Sequence, residues 1–132
     1  MLAVGCEVWV LDRPNLLGGV VEGNLLEAGY ESFVSAFQIP VRHGLTLNEL
    51  LRLEGRRRGW PDGLAVWEVR GWRRDGWWEG RSVGGGQPWV APSPNMPTPA
   101  TALVYPGGCL IEATELSESR STTRPFQLVN AP

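Results

Sequence analysis

The sequence contains few of the residues and patterns that often indicate a protein's function. Its 132 residues include no lysine, two cysteines, one histidine and no long apolar run. Because a helix that spans a bilayer needs about 20 consecutive apolar residues, no membrane span is predicted. The first residues carry no basic segment and are interrupted by Glu7, so no signal peptide is predicted. Cys6 and Cys109 are too few for a disulfide framework or a zinc site, and we expect two buried free thiols.

The charge and composition are those of one ordinary folded domain. Twelve arginines against fourteen acidic residues give a net charge of -2, which predicts no general attraction to nucleic acid or to anionic membranes. Apolar residues make up 42% of the chain and charged residues 20%, which excludes a disordered class. Seventeen glycines and eleven prolines predict that long helices do not dominate the fold.

The clearest strand covers residues 8–11, an unbroken Val-Trp-Val-Leu run that ends at Asp12. Such a run is typical of a parallel strand that is buried on both faces and has neighbours on both sides. Open α/β sheets bind ligands beyond the carboxyl ends of their strands, so Asp12 stands at a candidate site. Comparable strands are scarce elsewhere in the sequence, and we therefore expect the rest of this sheet to lie outside these residues.

Two helices have readable start signals. Thr46 and Glu49 have the spacing of a capping box, and leucines at helical spacing follow them. A second helix is predicted after Thr98, with Pro99 at its first position. Alternating apolar residues over 64–69 predict a further strand.

No single motif identifies a reaction. Phosphate-binding loops, dinucleotide fingerprints, zinc patterns and nucleophile elbows are absent from the sequence. His43 is a candidate hydrogen-bond donor or base, although a lone loop histidine is more often structural. The carboxylates that could serve glycosyl transfer are Asp12, Glu112, Glu115 and Glu118. Seven tryptophans suit saccharide stacking, but core packing is their commoner role, and the arginine–tryptophan clusters near residues 56–60 and 70–74 only weakly suggest nucleic acid.

Five segments in order resemble the DUF1343 family, which includes the exo-β-N-acetylmuramidases of bacterial cell-wall recycling. They contain Asp-Arg-Pro-Asn with a Gly-Gly pair, Ile-Pro-Val-Arg-His-Gly, Pro-Trp-Val-Ala-Pro-Ser-Pro-Asn-Met-Pro-Thr, Ala-Leu-Val-Tyr-Pro-Gly, and Leu-Ser-Glu-Ser-Arg-Ser-Thr-Thr-Arg-Pro-Phe, within residues 10–19, 39–44, 88–98, 102–107 and 116–126. Their order and spacing match from about residue 8 to the last residue.

The resemblance implies an α/β fold and a glycosidase. Residues up to about 60 would end a Rossmann-like parallel-sheet domain, and residues from about 61 would begin a smaller α+β auxiliary domain, with the fold incomplete at both ends. The implied reaction is exo-acting release of N-acetylmuramic acid from non-reducing ends of peptidoglycan fragments, without a cofactor or metal. The implied location is the cell envelope or the outside of the cell, and a cytoplasmic location stays open because no signal peptide is predicted.

The same resemblance suggests the residues of a saccharide cleft. The polar positions that match the family are Asp12, Arg13, Asn15, Arg42, His43, Asn95, Glu118, Arg120, Thr122, Thr123 and Arg124. We expect His43, Asn95 and Glu118 to contact hydroxyl and N-acetyl groups. Arg120 or Arg124 would pair with the lactyl carboxylate of muramic acid, and Asp12 and Arg13 would hold one another. Glu118 and His43 are the catalytic candidates, since the family's Ser-Pro-Glu-His-Gly motif, with its favoured catalytic acid, does not occur in this sequence.

Departures from the family pattern leave two alternatives open. Leu16 stands where proline is usual, and Ser119 and Ser121 replace glycines. Serine is costlier than glycine at positive φ, so we expect a reshaped 117–124 loop. One alternative is a non-catalytic saccharide-binding or interaction module that uses a tryptophan-rich surface. The other is a fragment without independent function that self-associates through unpaired strand edges.

Overall fold

The computed structural model describes residues 2–76 and 88–132, and within them the chain forms an α/β fold with two small sheets. Part of the tryptophan-rich surface, at Trp77 and Trp78, lies outside the described residues. In chain order the strands and α-helices are β1 (Val8–Leu11), β2 (Glu22–Leu25), β3 (Pro40–Arg42), α1 (Leu47–Arg58), β4 (Leu64–Trp67) and α2 (Pro99–Gly108). Short 3-10 helices cover Leu2–Val4 and Cys109–Ala113. No helix in these two ranges is long and apolar enough to cross a membrane.

The first sheet confirms the predicted parallel α/β architecture. Strands β1 and β4 run parallel, with Val8 opposite Leu64 and Leu11 opposite Trp67. Helix α1 lies between them in sequence, as a parallel connection requires, and packs against β1. Because β4 follows residue 60 and β1 precedes it, this sheet joins both sides of the expected domain division, which stays a prediction.

The prediction that β1 is buried on both faces is wrong for the described part of the chain. Val10 is buried, whereas Trp9, Leu11 and Trp67 are 58%, 66% and 64% exposed. The side chains of a strand alternate between its two faces, so one face of the β1–β4 sheet is covered and the other is open. Within the described ranges β1 pairs with β4 alone, not with a strand on each side.

Helix α1 begins with the predicted capping box and ends in a glycine. The Thr46 Oγ1 accepts the Glu49 N–H at 3.3 Å, and the Glu49 side chain accepts the Thr46 N–H at 2.9 Å. Gly59 ends the helix with a φ of 61°, where glycine avoids the strain of a side chain. The leucines at helical spacing do not form a buried stripe, because Leu47 is exposed and the buried side chains of the helix are Asn48 and Glu54.

The buried Glu54 is balanced by the arginines that follow it. It pairs with Arg57 at 3.0 Å and with Arg58 at 3.1 Å. These two arginines also donate to the backbone oxygens of Gln38 and Ala36, at 3.2 and 3.0 Å. Arg56, Arg57 and Arg58 all lie in the last turn of α1, where positive charge suits the helix dipole. Two of them, Arg57 and Arg58, also fasten the helix end to the 36–38 segment.

The remaining elements confirm one prediction and correct another. Helix α2 begins after Thr98, whose hydroxyl accepts the Thr101 N–H at 3.2 Å, and Pro99 occupies its first turn. Strands β2 and β3 form an antiparallel pair that the sequence patterns do not reveal. Both cysteines are free, but Cys6 is exposed and Cys109 is only partly buried, so the expectation of two buried thiols is wrong. The Cys6 position follows the 3-10 turn and precedes β1, outside any packed layer.

Candidate functional site

The carboxyl end of β1 meets the beginning of α1 through Asp12. Its Oδ1 accepts the backbone N–H of Asn48 at 2.9 Å and that of Arg13 at 3.0 Å. Asp12 is therefore a second cap of α1, placed where a negative charge suits the helix dipole. The expected Asp12–Arg13 contact exists through the Arg13 backbone amide, and no ion pair joins their side chains in the described part of the chain.

Asn15 ties the segment after β1 to the segment before α1. Its Oδ1 accepts the Leu17 N–H at 2.9 Å, which forms an Asx turn, and its Nδ2 donates to the Leu45 oxygen at 3.1 Å. Both polar ends of the side chain are thus used in holding the backbone. The predicted cleft residue Asn15 shapes the site here rather than presenting free groups to it.

His43 is oriented by a backbone amide. Its Nδ1 accepts the Leu45 N–H at 3.1 Å, so the neutral ring carries its proton on Nε2. Burial lowers the pKa of His43 from its ordinary value, which keeps the ring uncharged at neutral pH. This arrangement suits a hydrogen-bond donor better than a proton-transferring acid.

The Gly-Gly pair of the first motif is required by close backbone approach. A side chain on Gly18 would collide with the Gly76 oxygen, and one on Gly19 would collide with Arg74. The Gly19 N–H donates to the Arg74 oxygen at 2.9 Å, which fixes this contact. Gly44 packs in the same way, since its Cβ would stand 2.5 Å from the Gly19 oxygen. We call residues 12–19, 42–48 and 74–76 the strand-end cluster.

Two arginines of the strand-end cluster line a pocket. Arg42 pairs with Glu22 and donates to the Leu17 oxygen at 3.1 Å. Arg74 pairs with Glu49 and donates to the Gly44 oxygen at 2.8 Å. The pocket has a volume of about 250 Å³ and is lined by Leu17, Val20, Arg42, Arg74, Asp75, Gly76 and Leu103. Sequence reasoning missed Arg74, which the Arg-Trp pattern had linked only to nucleic acid; it lies 4.9 Å over the Trp72 ring.

The second group of predicted residues surrounds Arg120. Its guanidinium pairs with both Glu112 and Glu118 and lies 5.3 Å over the Phe126 ring. That ring in turn meets Tyr105 of α2 edge-on, with the centroids 4.9 Å apart. Arg120 is therefore already occupied by two carboxylates and an aromatic face, and it holds Glu118 in place.

The 117–126 loop keeps a glycine-like backbone without glycine. Ser119, Ser121 and Phe126 have φ values of 61°, 62° and 59°, and they are the only non-glycine residues with positive φ in the two described ranges. The buried Ser119 hydroxyl accepts a hydrogen bond from the Asn130 Nδ2 at 2.6 Å, and the Phe126 N–H donates to the backbone oxygen of Glu118 at 2.7 Å. Serine thus adopts the costly conformation itself, and these bonds hold the loop there.

The remaining predicted residues lie around this loop. The Asn95 Oδ1 accepts the Ser121 N–H at 3.1 Å, and the Thr122 hydroxyl donates to the Ser119 oxygen at 2.7 Å. Thr123 and Arg124 are exposed, and the Arg124 guanidinium forms no ion pair within the described ranges. Of the two arginines expected at a lactyl carboxylate, Arg124 is the one that is not already paired.

The structure thus collects the predicted residues into two groups. Asp12, Asn15, Arg42 and His43 belong to the strand-end cluster, and Asn95, Glu118, Arg120, Thr122 and Arg124 belong to the 117–126 loop and its neighbour. Helix α2 contacts both, since Leu103 lines the pocket and Tyr105 meets Phe126. Among the residues described, no group of three or more histidine, cysteine or acidic side chains is arranged to hold a metal ion.

Comparison with known proteins identifies the family. Residues 2–100 match the family model "Exo-beta-N-acetylmuramidase NamZ, N-terminal", and residues 103–132 match "Exo-beta-N-acetylmuramidase NamZ, C-terminal". The chain is 43% identical over 129 residues to the peptidoglycan beta-N-acetylmuramidase NamZ of Bacillus subtilis, covering 97% of this chain and 30% of that protein. A crystal structure of a DUF1343 family protein from Bacteroides fragilis superposes with a TM-score of 0.83 at 31% identity, over 97% of this chain and 35% of that one.

These matches confirm the resemblance and set its extent. The chain spans about a third of the length of the two relatives that it matches. The two family models meet between residues 100 and 103, so the pocket takes Leu103 from one and its other lining residues from the other. The chain belongs to the NamZ family of exo-beta-N-acetylmuramidases, the DUF1343 family that its motifs predicted.

Proposed function

We propose that this protein acts as a glycosidase that releases N-acetylmuramic acid from the non-reducing ends of peptidoglycan fragments. The observation that carries the proposal is the match of residues 2–100 to the N-terminal model and of residues 103–132 to the C-terminal model of one muramidase family, in order along the chain. The pocket at the meeting point of the two parts supports it, because enzyme clefts commonly form at such junctions. The proposed place of action is the cell envelope or the outside of the cell.

The proposed roles follow from which side chains are occupied and which are free. Glu118 is the proposed catalytic carboxylate, and Arg120 is a positioning residue that holds it. His43 donates through Nε2 to a saccharide oxygen, since its Nδ1 already accepts a backbone amide. Arg124 binds the lactyl carboxylate, because guanidinium groups suit bidentate pairing and this one has no partner among the described residues. We also propose that the chain divides near residue 60 into the end of a Rossmann-like domain and the beginning of a smaller auxiliary domain.

A chromogenic β-N-acetylmuramide tests the activity directly. We expect the chain to release the chromophore, and we expect Glu118→Gln to abolish release while Glu115→Gln, an exposed carboxylate nearby, leaves it unchanged. The matched β-N-acetylglucosaminide should be a poorer substrate, and Arg124→Gln should remove that preference. Release that persists in Glu118→Gln would move the catalytic role to another carboxylate. Equal use of both substrates would contradict the proposed Arg124 contact.

A second candidate is a non-catalytic saccharide-binding module. The exposed Trp9 and Trp67 favour it, because they stand at diagonal positions of the open sheet face, Trp9 opposite Ala65 and Trp67 opposite Leu11, and aromatic rings offer flat faces for stacking. The same assay separates the two functions. Saturable binding of a muramic-acid disaccharide without product, lost in Trp67→Ala and kept in Glu118→Gln, would support the module and contradict the glycosidase.

Self-association through unpaired strand edges is also proposed, since β1 pairs on one side only within the described ranges. Size-exclusion chromatography at two protein concentrations tests it. A concentration-independent monomer would contradict it.

A further inference from the structure

A tight turn between β2 and β3 presents two apolar side chains to solvent. The Ser32 N–H donates to the Ser35 oxygen at 3.0 Å, and the Ser35 N–H donates to the Ser32 oxygen at 3.2 Å. Phe33 and Val34 form the tip between them; Phe33 is completely exposed and Val34 is 90% exposed. Turns favour glycine, proline, asparagine and aspartate, and a phenyl ring held in water stabilises nothing in a monomer. The tip therefore has the properties of a contact surface.

A pocket lies at the base of the same turn. Glu31 and Ala36, which flank the turn on its two sides, both line it, and its volume is about 400 Å³. Its apolar lining consists of Leu25, Leu26 and Ala36. Since a cavity of about 150 Å³ holds a benzene molecule, this pocket has room for a phenyl ring and a valine side chain. The exposed Phe33 does not enter the pocket of its own chain.

The charged wall of the pocket suits an aromatic ring. Arg57 and Arg58 line it, and each uses one guanidinium nitrogen to pair with Glu54. The Arg57 Nε and Nη2 have no hydrogen-bond partner within the described ranges. Arg58 already lies 5.4 Å over the ring of Phe37. Because guanidinium groups are attracted to aromatic faces, Arg57 can hold a second ring in the same way.

We propose that two copies of this chain form a dimer in which the Phe33–Val34 tip of each copy enters the pocket of the other. A tip and a pocket on one surface of one chain are self-complementary, as a two-fold dimer requires. The two turns then lie side by side in opposite directions, with Arg57 over the ring of the partner's Phe33. This surface is separate from the edges of β1 and β4 and from the residues proposed for glycoside cleavage.

The available area fits a reversible dimer. A buried aromatic side chain covers about 150–250 Å². Phe33 is completely exposed and Tyr30 is 73% exposed, so together they provide about 300 Å² in each copy. With Val34 and the pocket walls, two copies bury on the order of 1,000 Å², which is the lower end for specific complexes. We therefore expect a dissociation constant in the micromolar range.

A bilayer is the other surface that takes an apolar tip. Segments that bind anionic membranes carry lysine or arginine beside their apolar residues. The segment before this tip carries Glu27 and Glu31 instead, and the arginines of the pocket, Arg57 and Arg58, are paired with Glu54. The charges therefore favour a second copy of the chain over lipid.

Sedimentation equilibrium tests the dimer over protein concentrations from about 5 to about 500 μM. We expect the mass to rise from 14.5 kDa toward twice that value. Phe33→Ser should weaken association at least about thirtyfold, because aromatic anchors dominate such interfaces. Leu110→Ser is the matched control, since Leu110 is 72% exposed and lies outside the tip and the pocket, and it should leave association unchanged. A 14.5 kDa monomer over the whole range overturns the proposal.

Two complementary variants test the exchange of tips. Phe33→Ser removes the tip and keeps the pocket, whereas Ala36→Trp fills the pocket and keeps the tip. Unlabelled Ala36→Trp should therefore shift the Leu25 and Leu26 methyl resonances of labelled Phe33→Ser, and unlabelled Phe33→Ser should leave them in place. Ala28→Trp, at an exposed alanine outside the pocket, should form dimers as the unchanged chain does. Dimers of Ala36→Trp alone, or methyl resonances that do not move, overturn the exchange.

Further outcomes would assign the contact elsewhere. Association that is kept in Phe33→Ser and lost in Trp9→Lys would lie at the edge of β1, and would overturn the proposal. So would a monomer that binds phosphatidylglycerol vesicles and loses this binding in Phe33→Ser. A monomer that hydrolyses the chromogenic muramide overturns the dimer and leaves the glycosidase proposal standing.

Discussion

The strand-end cluster and the 117–126 loop solve the same backbone problem in opposite ways. In the cluster, Gly18, Gly19 and Gly44 let two segments touch where no side chain fits. In the loop, Ser119, Ser121 and Phe126 take positive φ values although they carry side chains. The cluster thus avoids strain through its composition, while the loop holds strain in place with hydrogen bonds from Asn130, Thr122 and Phe126. A Gly-Gly motif in a sequence indicates that two backbone segments approach closely. A serine in a sequence gives no sign that its backbone is held at a strained positive φ.

The largest effect is expected from a side chain added to the cluster. Gly44→Ala places a Cβ 2.5 Å from the Gly19 oxygen at a φ of 63° and should lower the free energy of unfolding by about 3 kcal/mol. Gly59→Ala is the matched control, because Gly59 has a φ of 61° and no atom within 4 Å of the added Cβ. It should cost only about 1 kcal/mol. Urea unfolding of both variants measures the difference, and equal losses would show that close approach contributes nothing.

A smaller effect on stability is expected from replacing Arg120, and almost none from replacing Arg124 in the same loop. Arg120→Gln leaves Glu112 and Glu118 without their shared partner and should destabilise the fold by about 1–2 kcal/mol. Arg124→Gln should change stability by less than about 0.5 kcal/mol, because the side chain is exposed. Affinity for a muramic-acid ligand should fall about tenfold in Arg124→Gln. Thermal unfolding and calorimetric titration check both, and a destabilised Arg124→Gln would contradict its assignment as the free arginine.

The two serines of the loop should respond in opposite directions to glycine. Ser121→Gly removes the strain of positive φ at an exposed residue and should stabilise by about 0.5 kcal/mol, after the greater chain entropy of glycine is counted. Ser119→Gly also loses the bond from Asn130, and should destabilise by about 0.5 kcal/mol. Urea midpoints of the two variants decide the matter. A gain of the same size in both would mean that the Ser119 hydroxyl does not hold the loop.

The smallest effect concerns pH and the strand-end cluster. Burial lowers the pKa of His43 in the folded state below its ordinary value of 6.5. The unfolded chain therefore takes up the proton first as pH falls through this region, and stability decreases toward acid. His43→Asn keeps an acceptor for the Leu45 amide and has no such titration. We expect wild-type stability to fall more than that of the variant between about pH 8 and about pH 5, by urea unfolding. Parallel decreases would contradict the shift.

Local signals account for what the sequence predicts well. The Thr46–Glu49 capping box, the Thr98 cap and the β1 strand each depend on residues within a few positions of one another, and all three are confirmed. The ordered motifs add the family, which is confirmed as well. The site residues stay predictions, although the structure gathers them into two groups.

Contacts between distant residues account for what the sequence does not reveal. Arg74 reaches Glu49 from 25 residues away, and no local pattern announces such a contact. Glu54 is buried because Arg57 and Arg58 neutralise it, whereas a helical stripe of leucines predicts burial on the apolar face. The open sheet face has the same origin, since an apolar run specifies a strand but not the elements that cover it.

The hydrogen bond from Asn48 to Asp12 has a consequence for how the molecule opens. Amides in the first turn of a helix ordinarily exchange with solvent as the helix frays, but this one is held by a residue 36 positions earlier, at the end of β1. The Asn48 amide proton should exchange with solvent only when β1 and α1 separate. The rate at which the Asn48 amide exchanges its proton for deuterium therefore measures how often β1 and α1 separate, at a single backbone position.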